Sequence, residues 1–349
     1  MLSHNHDRGA WKQHSGREAG MHGPGPCVVA VVGASADAPP PGLEQRPEGC
    51  DLRFVPDRES LAREAADAEV AFVWQPRLNW LVTEWGWSTR LRWVAAATVG
   101  VDSLLFPALV DSDIVVTNCA GVFDEAMAEY ALTLVSAICA DLHTTLRLQY
   151  ERRWLHRETT RLAGREVLVA GAGGIGRAIA RKLAHAGAHV RSIGRQGRMD
   201  GELGWVAPVA DLRSLLPAAD YLILALPLTD DTHLLVGAGE LAQMRHDAWL
   251  INLGRGTLVD APALTSALLG GTIGGAALDV FADEPLPADS PLWALPNVIV
   301  SPHMSGDFQG WESALVDLFL RQLRRYRSGR PLANVVDKRL GFIPGTRSG

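Results

Sequence analysis

The sequence predicts an α/β fold of two parallel-sheet domains, with the ligand site in the cleft between them. Short apolar, β-branched runs alternate with stretches of helical periodicity along most of the chain, which is typical of parallel strands covered by helices. The length of 349 residues exceeds that at which a single core usually stops growing. Two domains are therefore expected, and a cleft between domains is a frequent ligand site.

Composition and charge exclude several classes of protein. Hydrophobic residues make up 47% of the chain and charged residues 21%, which is typical of a folded, soluble protein. The formal net charge of −6 argues against a nucleic-acid partner, because such proteins need clustered Lys and Arg. The longest apolar stretch, 126–142, is too short and too charged to span a bilayer, so no membrane partner is expected.

The cysteines and the first residues indicate the compartment. Four cysteines lie far apart, with no spacing typical of zinc ligands or of a disulfide framework, so we expect a cytoplasmic protein without a metal site. Residues 1–24 contain four histidines but no apolar stretch, which predicts a disordered extension rather than a secretory signal. Metal binding by these histidines is the alternative, although a flexible segment holds no fixed geometry.

Four apolar runs predict the strands of the first domain. They span residues 27–33, 69–74, 92–97 and 114–118. Residues 124–153 then carry apolar side chains at helical spacing, which predicts one long helix. This helix would connect the domains, pack against one of them or form a dimer contact.

Six further runs predict a doubly wound parallel sheet for the second domain. They span residues 166–170, 189–193, 221–226, 249–253, 275–281 and 298–301. A final helix over 311–328 carries an apolar face, so it is expected to return and pack on the first domain. The first domain would then comprise residues 25–120 and 308–340, and the second 121–307.

A glycine-rich turn follows the first strand of the second domain. It reads Gly171-Ala-Gly-Gly-Ile-Gly176 and precedes a predicted helix. Glycines there allow a tight turn and let a pyrophosphate approach the helix N-terminus. The second domain is therefore predicted to be Rossmann-like, the alternative being a purely structural turn. The residues expected to bind the dinucleotide are Gly171, Gly173, Gly174, Ile175 and Gly176.

The next strand lacks the acidic residue that binds the ribose 2′-hydroxyl of NAD. It ends in Gly194 and Arg195, and Arg198 follows. The glycine leaves room, and guanidinium groups form bidentate, charge-assisted hydrogen bonds with a 2′-phosphate. We therefore expect NADP(H) to be favoured over NAD(H). The alternative is that both arginines are solvated surface residues.

Three later strands are each followed by a reactive polar side chain, namely Arg255, Glu284 and His303. The carboxyl ends of parallel strands meet at one edge of a sheet, where open α/β sheets bind ligands. We expect the three side chains to converge there, beside the dinucleotide. Taken singly, Arg255 could also be a salt-bridge partner, Glu284 a turn carboxylate and His303 a loop histidine.

These motifs resemble the D-isomer-specific 2-hydroxyacid dehydrogenase family, from Cys27 to the C-terminal region. The matching segments occur in the family's order and are 92–94 with 100–102, 128–130, 171–176, 226–229 with Thr232, 252–260, 278–286 and 296–303. Segments 72–76, 290–293 and 336–338 further resemble the glyoxylate/hydroxypyruvate reductase branch.

The resemblance implies an NAD(P)-dependent enzyme with its active site in the interdomain cleft. Arg255 would bind the substrate carboxylate and polarise its carbonyl. His303 would donate a proton to the carbonyl oxygen during reduction and accept it in reverse. Glu284 would pair with His303 and stabilise its charged form. The substrate would be a small 2-keto acid such as glyoxylate or hydroxypyruvate, and the product a D-2-hydroxy acid.

The resemblance also implies further contacts. Residues 25–120 and 308–340 would form a flavodoxin-like substrate (catalytic) domain, in which backbone groups at Val99 and Gly100 bind the substrate carboxylate. Asp279 of the dinucleotide-binding domain would accept a hydrogen bond from the nicotinamide carboxamide. A plain turn at 98–100 and a strand-end cap at Asp279 are the alternatives. The remaining cofactor-binding residues would be Pro227, Thr232 and Leu253.

Two departures from the family pattern concern the pocket and the subunit contacts. Residues 304–311 replace the small residues and threonine usual after the histidine, and residues 140–143 replace arginines common in the long helix. A homodimer is expected from the resemblance. Trp154 lies where some relatives lend an aromatic side chain to the neighbouring subunit, the alternative being a core or surface tryptophan.

Other functions of this fold define the alternatives. One is an NAD-dependent D-2-hydroxyacid or phosphoglycerate-type dehydrogenase. Formate dehydrogenase differs because it carries glutamine where Glu284 stands. A non-catalytic, nucleotide-sensing partner protein is the alternative from another class, since transcriptional corepressors share the fold. The sequence carries no added basic region or docking tail, which favours the enzyme.

Overall fold

The computed structural model describes residues 26–75 and 79–344. The predicted extension over 1–24 lies outside the described residues, as does residue 76, the last of the matching segment 72–76. One parallel sheet is built from strands between residues 27 and 117, and a second from strands between residues 166 and 300. The predicted α/β fold with two parallel-sheet units is therefore confirmed.

The first sheet has five parallel strands in the flavodoxin-like order β2-β1-β3-β4-β5. The strands are β1 (Cys27–Val32), β2 (Cys50–Val55), β3 (Val70–Val73), β4 (Trp93–Ala96) and β5 (Val115–Thr117). Their connections include α1 (Arg58–Glu64), α2 (Asn79–Thr83) and α3 (Pro107–Val110). The loop after β4 starts at the carboxyl edge of this sheet.

The second sheet has the order β13-β12-β11-β10-β6-β7-β9-β8. Its strands are β6 (Glu166–Ala170), β7 (His189–Gly194), β8 (Arg198–Asp200), β9 (Gly204–Pro208), β10 (Tyr221–Leu224), β11 (Trp249–Asn252), β12 (Gly275–Leu278) and β13 (Val298–Val300). Its helices are α6 (Gly174–His185), α7 (Leu212–Leu215), α8 (Ala238–Leu241) and α9 (Ala261–Leu269). The strand order reverses between β6 and β10, where doubly wound sheets bind ligands.

The prediction of one helix over 124–153 is wrong. The chain forms α4 (Asp124–Cys139) and α5 (Leu142–Tyr150), separated by Asp141 in a left-handed conformation with φ of 48°. A returning segment stabilises the break, because Arg157 Nε donates to Asp141 Oδ2 at 2.7 Å and Thr160 N donates to the Cys139 carbonyl at 2.9 Å. Arg157 and Thr160 lie outside 124–153, so the helical periodicity of that segment could not predict these contacts.

The last helix, α10 (Trp311–Arg327), returns to the first sheet as expected. Phe319 stacks on Phe72 with 4.1 Å between ring centroids. Beyond the helix, Val336 N donates to the Val116 carbonyl of β5 at 2.9 Å. We retain the division into 25–120 plus 308–340 and 121–307 as a proposal.

Three strands, β2, β8 and β9, were not expected from the sequence. Strand β2 is the edge of its sheet and four of its six residues are partly or fully exposed, so it lacks a continuous apolar run. Strands β8 and β9 form a short antiparallel hairpin at the other sheet's edge. Within the described residues, the helices are too short or too polar to cross a membrane.

Candidate active site

The predicted site residues lie along the carboxyl edge of the second sheet. All of its strands except β8 run parallel to one another, so their carboxyl ends share this edge. In spatial order, the residues just beyond the strands are Arg195 (β7), Gly171 (β6), Pro227 (β10), Arg255 (β11), Asp279 (β12) and His303 (β13).

The turn between β6 and α6 fits a pyrophosphate. Gly171 has φ of 129°, a conformation that favours glycine. A Cβ at Gly176 would collide with the Gly171 carbonyl, whereas a Cβ at Gly173 would have nothing within 4 Å. The helix can therefore start directly against the strand while its N-terminus stays open. The N–H groups of Gly174 and Ile175 lie in that first turn, where an anion binds.

Asp124, which the sequence did not single out, lies beside this turn. A Cβ at Gly174 would collide with the Asp124 carboxylate. Burial raises the pKa of Asp124 and Glu125 adds to the shift, while a hydrogen bond at Gly121 and the charge of Arg181 oppose it. An acid in the first turn of a helix is common, so the sequence held no signal for this position.

The two arginines after β7 have different surroundings. A Cβ at Gly194 would come within 3.0 Å of the Arg198 guanidinium, which also lies 3.7 Å from Asp200. Arg195 is exposed, and its guanidinium carbon is 5.6 Å from the ring centroid of Phe342. Both charges lie at the strand end that approaches the cofactor ribose in doubly wound folds.

The loop after β10 is fixed by Thr232. Its hydroxyl donates to the Pro227 carbonyl at 2.7 Å and accepts from Thr229 N at 2.9 Å. Leu253, just after β11, is buried and its N–H donates to the Leu224 carbonyl at 3.0 Å. Thr232 therefore holds Pro227 in place, and direct contacts of these residues with a cofactor stay predictions.

Arg255 reaches from the second sheet to the loop after β4. Its Nε donates to Asp102 Oδ1 at 3.1 Å and its Nη1 donates to the Gly254 carbonyl at 2.9 Å. Its Nη2 lies against Gly100, where a Cβ would collide with it. Within the described part of the chain Nη2 makes no hydrogen bond. One guanidinium nitrogen is thus available to an anion beside Gly100.

Each of the two loops around the Arg255 guanidinium is held in place by an asparagine. Asn252 Oδ1 accepts from Gly254 N at 3.1 Å and its Nδ2 donates to the Arg255 carbonyl at 2.9 Å. Asn118 Nδ2 donates to the Val99 carbonyl at 2.7 Å. These contacts fix the backbone on which Arg255 and Gly100 face each other.

His303 and Glu284 form a pair across the ends of β13 and β12. His303 Nδ1 and Glu284 Oε2 lie 2.8 Å apart, and Glu284 Oε1 accepts from Phe281 N at 3.0 Å. The histidine side chain is 37% exposed and the glutamate 15%. A fixed carboxylate behind a more accessible imidazole is a typical arrangement for general acid–base catalysis.

Asp279 holds the loop that carries His303. Its Oδ1 accepts from Ser301 Oγ at 2.6 Å and from Met304 N at 3.0 Å, and its Oδ2 accepts from Ser305 N at 2.9 Å. His303 itself has φ of 54°, which residues other than glycine rarely adopt, so the loop needs such support. Contact of Asp279 with a nicotinamide stays a prediction.

Sequence reasoning assigned no role to Asp102 or Asn252. Both lie in segments that match the family, but Asp102 and Arg255 are 153 residues apart, and spacing cannot reveal that they meet. In the part of the chain that the structure describes, there is no cluster of three or more His, Cys, Asp or Glu suited to a metal ion.

Comparison with known proteins identifies the family. The family model described as D-isomer specific 2-hydroxyacid dehydrogenase, NAD binding domain, matches residues 132–305. Glyoxylate/hydroxypyruvate reductase B of Pectobacterium carotovorum subsp. carotovorum is 37% identical over 222 residues, which cover 62% of this chain and 69% of that protein.

Solved structures agree over nearly the whole chain. A D-isomer specific 2-hydroxyacid dehydrogenase from Xanthobacter autotrophicus Py2, in complex with NADPH and MES, has a TM-score of 0.76 and 30% identity over 91% of this chain and 100% of its own. An NADPH-dependent glyoxylate/hydroxypyruvate reductase from Sinorhizobium meliloti, in complex with NADP and sulfate, has a TM-score of 0.79 and 27% identity over 90% of this chain and 100% of its own. The chain belongs to the D-isomer-specific 2-hydroxyacid dehydrogenase family, in its glyoxylate/hydroxypyruvate reductase-like branch, and is an NAD(P)-dependent oxidoreductase.

Proposed function

We propose that this protein uses NADPH to reduce glyoxylate, hydroxypyruvate or a closely related 2-keto acid to the D-2-hydroxy acid. The observation that carries the proposal is the 2.8 Å contact between His303 Nδ1 and Glu284 Oε2, on the sheet edge that also carries the glycine turn. The Pectobacterium relative is named a glyoxylate/hydroxypyruvate reductase, which supports this substrate class.

Arg255 and the loop after β4 would bind the substrate carboxylate. The Nη2 atom of Arg255 lies against Gly100, so a carboxylate there would meet both the guanidinium and the N–H groups of Val99 and Gly100. A charged donor combined with neutral ones suits a small anion. Asp102 would keep the guanidinium in place through Nε without occupying Nη2.

His303 would provide the proton. When bound, the nicotinamide supplies the hydride to the carbonyl carbon of the substrate. His303 Nε2 would donate a proton to the carbonyl oxygen. Glu284 would hold the imidazole in position for this transfer by accepting a hydrogen bond from Nδ1. Asp279 would act as a positioning residue. A carboxylate can accept about four hydrogen bonds, so its three contacts with residues 301–305 are compatible with one more from the carboxamide.

NADP(H) is the proposed cofactor in preference to NAD(H). Gly194 lets the Arg198 guanidinium lie against the end of β7, and Arg195 and Arg198 supply positive charge there. Asp200 of the neighbouring hairpin is paired with Arg177, whose Nη1 donates to it at 2.8 Å, which offsets its negative charge. The Xanthobacter and Sinorhizobium structures contain NADPH and NADP, which supports the same preference.

We further propose a cytoplasmic homodimer. Large apolar side chains are exposed on α5 and just after it, from 44% for Leu142 to 100% for Trp154. Apolar patches of this kind usually mark an interface. Trp154 is fully exposed and therefore does not belong to the core. Its insertion into a pocket of the neighbouring subunit is part of the dimer proposal.

A reductase assay tests the function. Micromolar full-length protein would be mixed with NADPH or NADH and with glyoxylate, hydroxypyruvate and larger 2-keto acids, and the oxidation of the cofactor followed. We expect the highest kcat/KM for NADPH with a two- or three-carbon substrate, and a D-configured product wherever the product is chiral. A higher kcat/KM with NADH would overturn the cofactor proposal. Cofactor binding without turnover would instead favour a nucleotide sensor.

A further inference from the structure

Two cysteines are paired at the end of the first sheet that is remote from the candidate active site. Cys27 begins β1, Cys50 begins β2, and the two residues are register partners. They therefore lie at the amino ends of parallel strands, whereas Val99 and Gly100 follow the carboxyl end of β4. The proposed reduction uses neither cysteine.

The two sulfur atoms are placed to react with each other. Neighbouring strands are about 4.8 Å apart, and a disulfide requires Cα atoms separated by about 4.4–6.8 Å. Cys27 and Cys50 belong to the same buried cluster, and each side chain shifts the pKa of the other. A disulfide between them would need little movement of the strands.

The surroundings separate the two thiols chemically. Arg327 of α10 places Nη1 3.5 Å from Cys50 Sγ, and Arg46 Nε donates to the Cys50 carbonyl at 3.1 Å. The hydrogen bond from Cys27, together with both arginines, lowers the pKa of Cys50 to about 6 despite burial. The same hydrogen bond, burial and the charge of Glu69 raise the pKa of Cys27.

An ionisable group of α10 also faces this pair. Tyr326 of α10 lies near Cys27, and burial raises the pKa of its phenol, so it stays protonated near neutral pH. The pair therefore combines a thiolate at Cys50 with a thiol at Cys27. This is the arrangement of an attacking cysteine beside a resolving one.

We propose that Cys50 and Cys27 form a redox-active pair that hydrogen peroxide converts into a disulfide. The Cys50 thiolate attacks one peroxide oxygen, so an S–O bond forms, the O–O bond breaks, and hydroxide leaves and takes up a proton to become water. The Cys27 sulfur then attacks the sulfenic sulfur, so the S–S bond forms, the S–O bond breaks and the Cys27 proton leaves in a second water. Two thiols lose two electrons, and one hydrogen peroxide is reduced to two waters.

The pair lies near the protein surface, at the edge of the first sheet. Strand β2 is an edge strand, and Gly49 and Asp51 on either side of Cys50 are exposed. Cys50 is itself 7% exposed and Cys27 4%, which favours attack at Cys50. Oxidation would remove the negatively charged thiolate that Arg327 contacts. We therefore expect oxidation to alter the packing of α10.

Mass spectrometry of the peroxide-treated full-length protein tests the proposal. We expect one disulfide that links Cys27 to Cys50 and is reversed by dithiothreitol. Cys119→Ser/Cys139→Ser is the matched control and should form it at the native rate, because neither cysteine is a register partner of Cys27 or Cys50. Cys27→Ser should stop at a sulfenic acid on Cys50 that dimedone traps. Cys50→Ser should form neither product.

The pH dependence of the reaction identifies the attacking sulfur. The rate constant for oxidation should rise with a midpoint near the Cys50 pKa of about 6. Arg327→Gln should move the midpoint towards the value of about 8.5 for an ordinary thiol, while Arg327→Lys should retain most of the shift. These two variants keep both cysteines, so they test the proposal even if a cysteine variant fails to fold. Absence of the Cys27–Cys50 disulfide, dimedone labelling of Cys27, or a native midpoint near 8.5 would each overturn it.

Discussion

His303 and Glu284 share one hydrogen bond, so substitutions can separate the proton donor from the group behind it. His303→Ala removes the donor and should lower kcat by about a hundredfold or more. Glu284→Gln keeps a hydrogen-bonding side chain but removes the negative charge behind the imidazole, so a smaller loss of kcat is expected. Both variants should keep the native dissociation constant for NADP⁺, because the glycine turn is unchanged. Steady-state kinetics and fluorescence titration measure these quantities.

A second histidine provides the control for this experiment. His246 lies exposed before β11, at the amino edge of the sheet and away from the candidate site. His246→Ala should therefore have native kcat and cofactor affinity. If His303→Ala also retained native turnover, the proton-donor role would be refuted.

Asp124 should make cofactor binding depend on pH. Burial raises its pKa, so the protonated fraction grows as the pH falls through that raised value, and the negative charge beside the glycine turn disappears. NADP⁺ should therefore bind more tightly at acidic pH and more weakly as the pH rises. Asp124→Asn should flatten this dependence and strengthen binding above the pKa by about tenfold, the effect of roughly 1.4 kcal/mol of like-charge repulsion.

The neighbouring acid distinguishes this local effect from general electrostatics. Glu125 lies on the same helical turn and its side chain is 63% exposed, pairing with Arg181 and Lys182. Glu125→Gln removes the same charge and should leave the pH profile of the NADP⁺ dissociation constant nearly unchanged. Equal effects of the two substitutions would contradict a specific role for Asp124.

At the level of elements, the end of β7 and the start of β8 should determine cofactor choice. Arg195→Ala/Arg198→Ala removes both guanidinium groups and should raise KM for NADPH at least about tenfold, because each charged hydrogen bond to a phosphate contributes about 1.5–3 kcal/mol. KM for NADH should hardly change. Arg191→Ala, on β7 and paired with Glu166, is the matched control. An equal rise in KM for both cofactors would contradict the assignment.

The elements also separate what the sequence could predict from what it could not. Buried parallel strands such as β6, β10 and β11 appear as continuous apolar runs because neighbours cover both faces. The edge strand β2 does not, since Asp51 and Arg53 alternate with apolar residues. The break between α4 and α5 depends on Arg157 and Thr160, which return from beyond the helix.

The candidate site divides in the same way. The placement of Arg255, Glu284 and His303 at one sheet edge was predictable because each follows a recognisable strand, and parallel strands bring their carboxyl ends to one edge. Asp102 was not, because it reaches Arg255 from the loop after β4, so the contact depends on how the two sheets pack. Asp124 was not, because it reaches the glycine turn from α4, whose packing against α6 no motif spacing records. Periodicity and motif spacing describe single elements and carry no information on such packing.

At the scale of the whole molecule, Arg255 connects the two sheets at the site. Its backbone belongs to the loop after β11, while its guanidinium contacts Asp102 and Gly100 after β4. A carboxylate bound there would complete the contact between the two sides of the cleft. Substrate binding is therefore expected to join the loops after β4 and β11 through this one side chain.

The assembly should depend on the apolar stripe of α5, defined as Leu142, Leu146 and Tyr150. These residues follow one another at intervals of four, which places them on one face of the helix, and their exposures are 44%, 49% and 90%. Trp154 continues the interval beyond the helix and is fully exposed. An apolar surface of this kind is expected to be covered by a second copy of the chain.

Replacing two of these residues should therefore dissociate the dimer. Leu146→Glu/Trp154→Ala places a charge in the interface and removes its largest anchor, and losses of about 2 kcal/mol or more at each site are typical of central interface residues. Sedimentation at micromolar concentration should show monomers for this variant and dimers for the native chain. Leu269→Glu on α9 is the control, since Leu269 is 65% exposed but lies outside the stripe, and it should remain dimeric. A native chain that sediments as a monomer, or a variant that stays dimeric, would contradict the α5 interface.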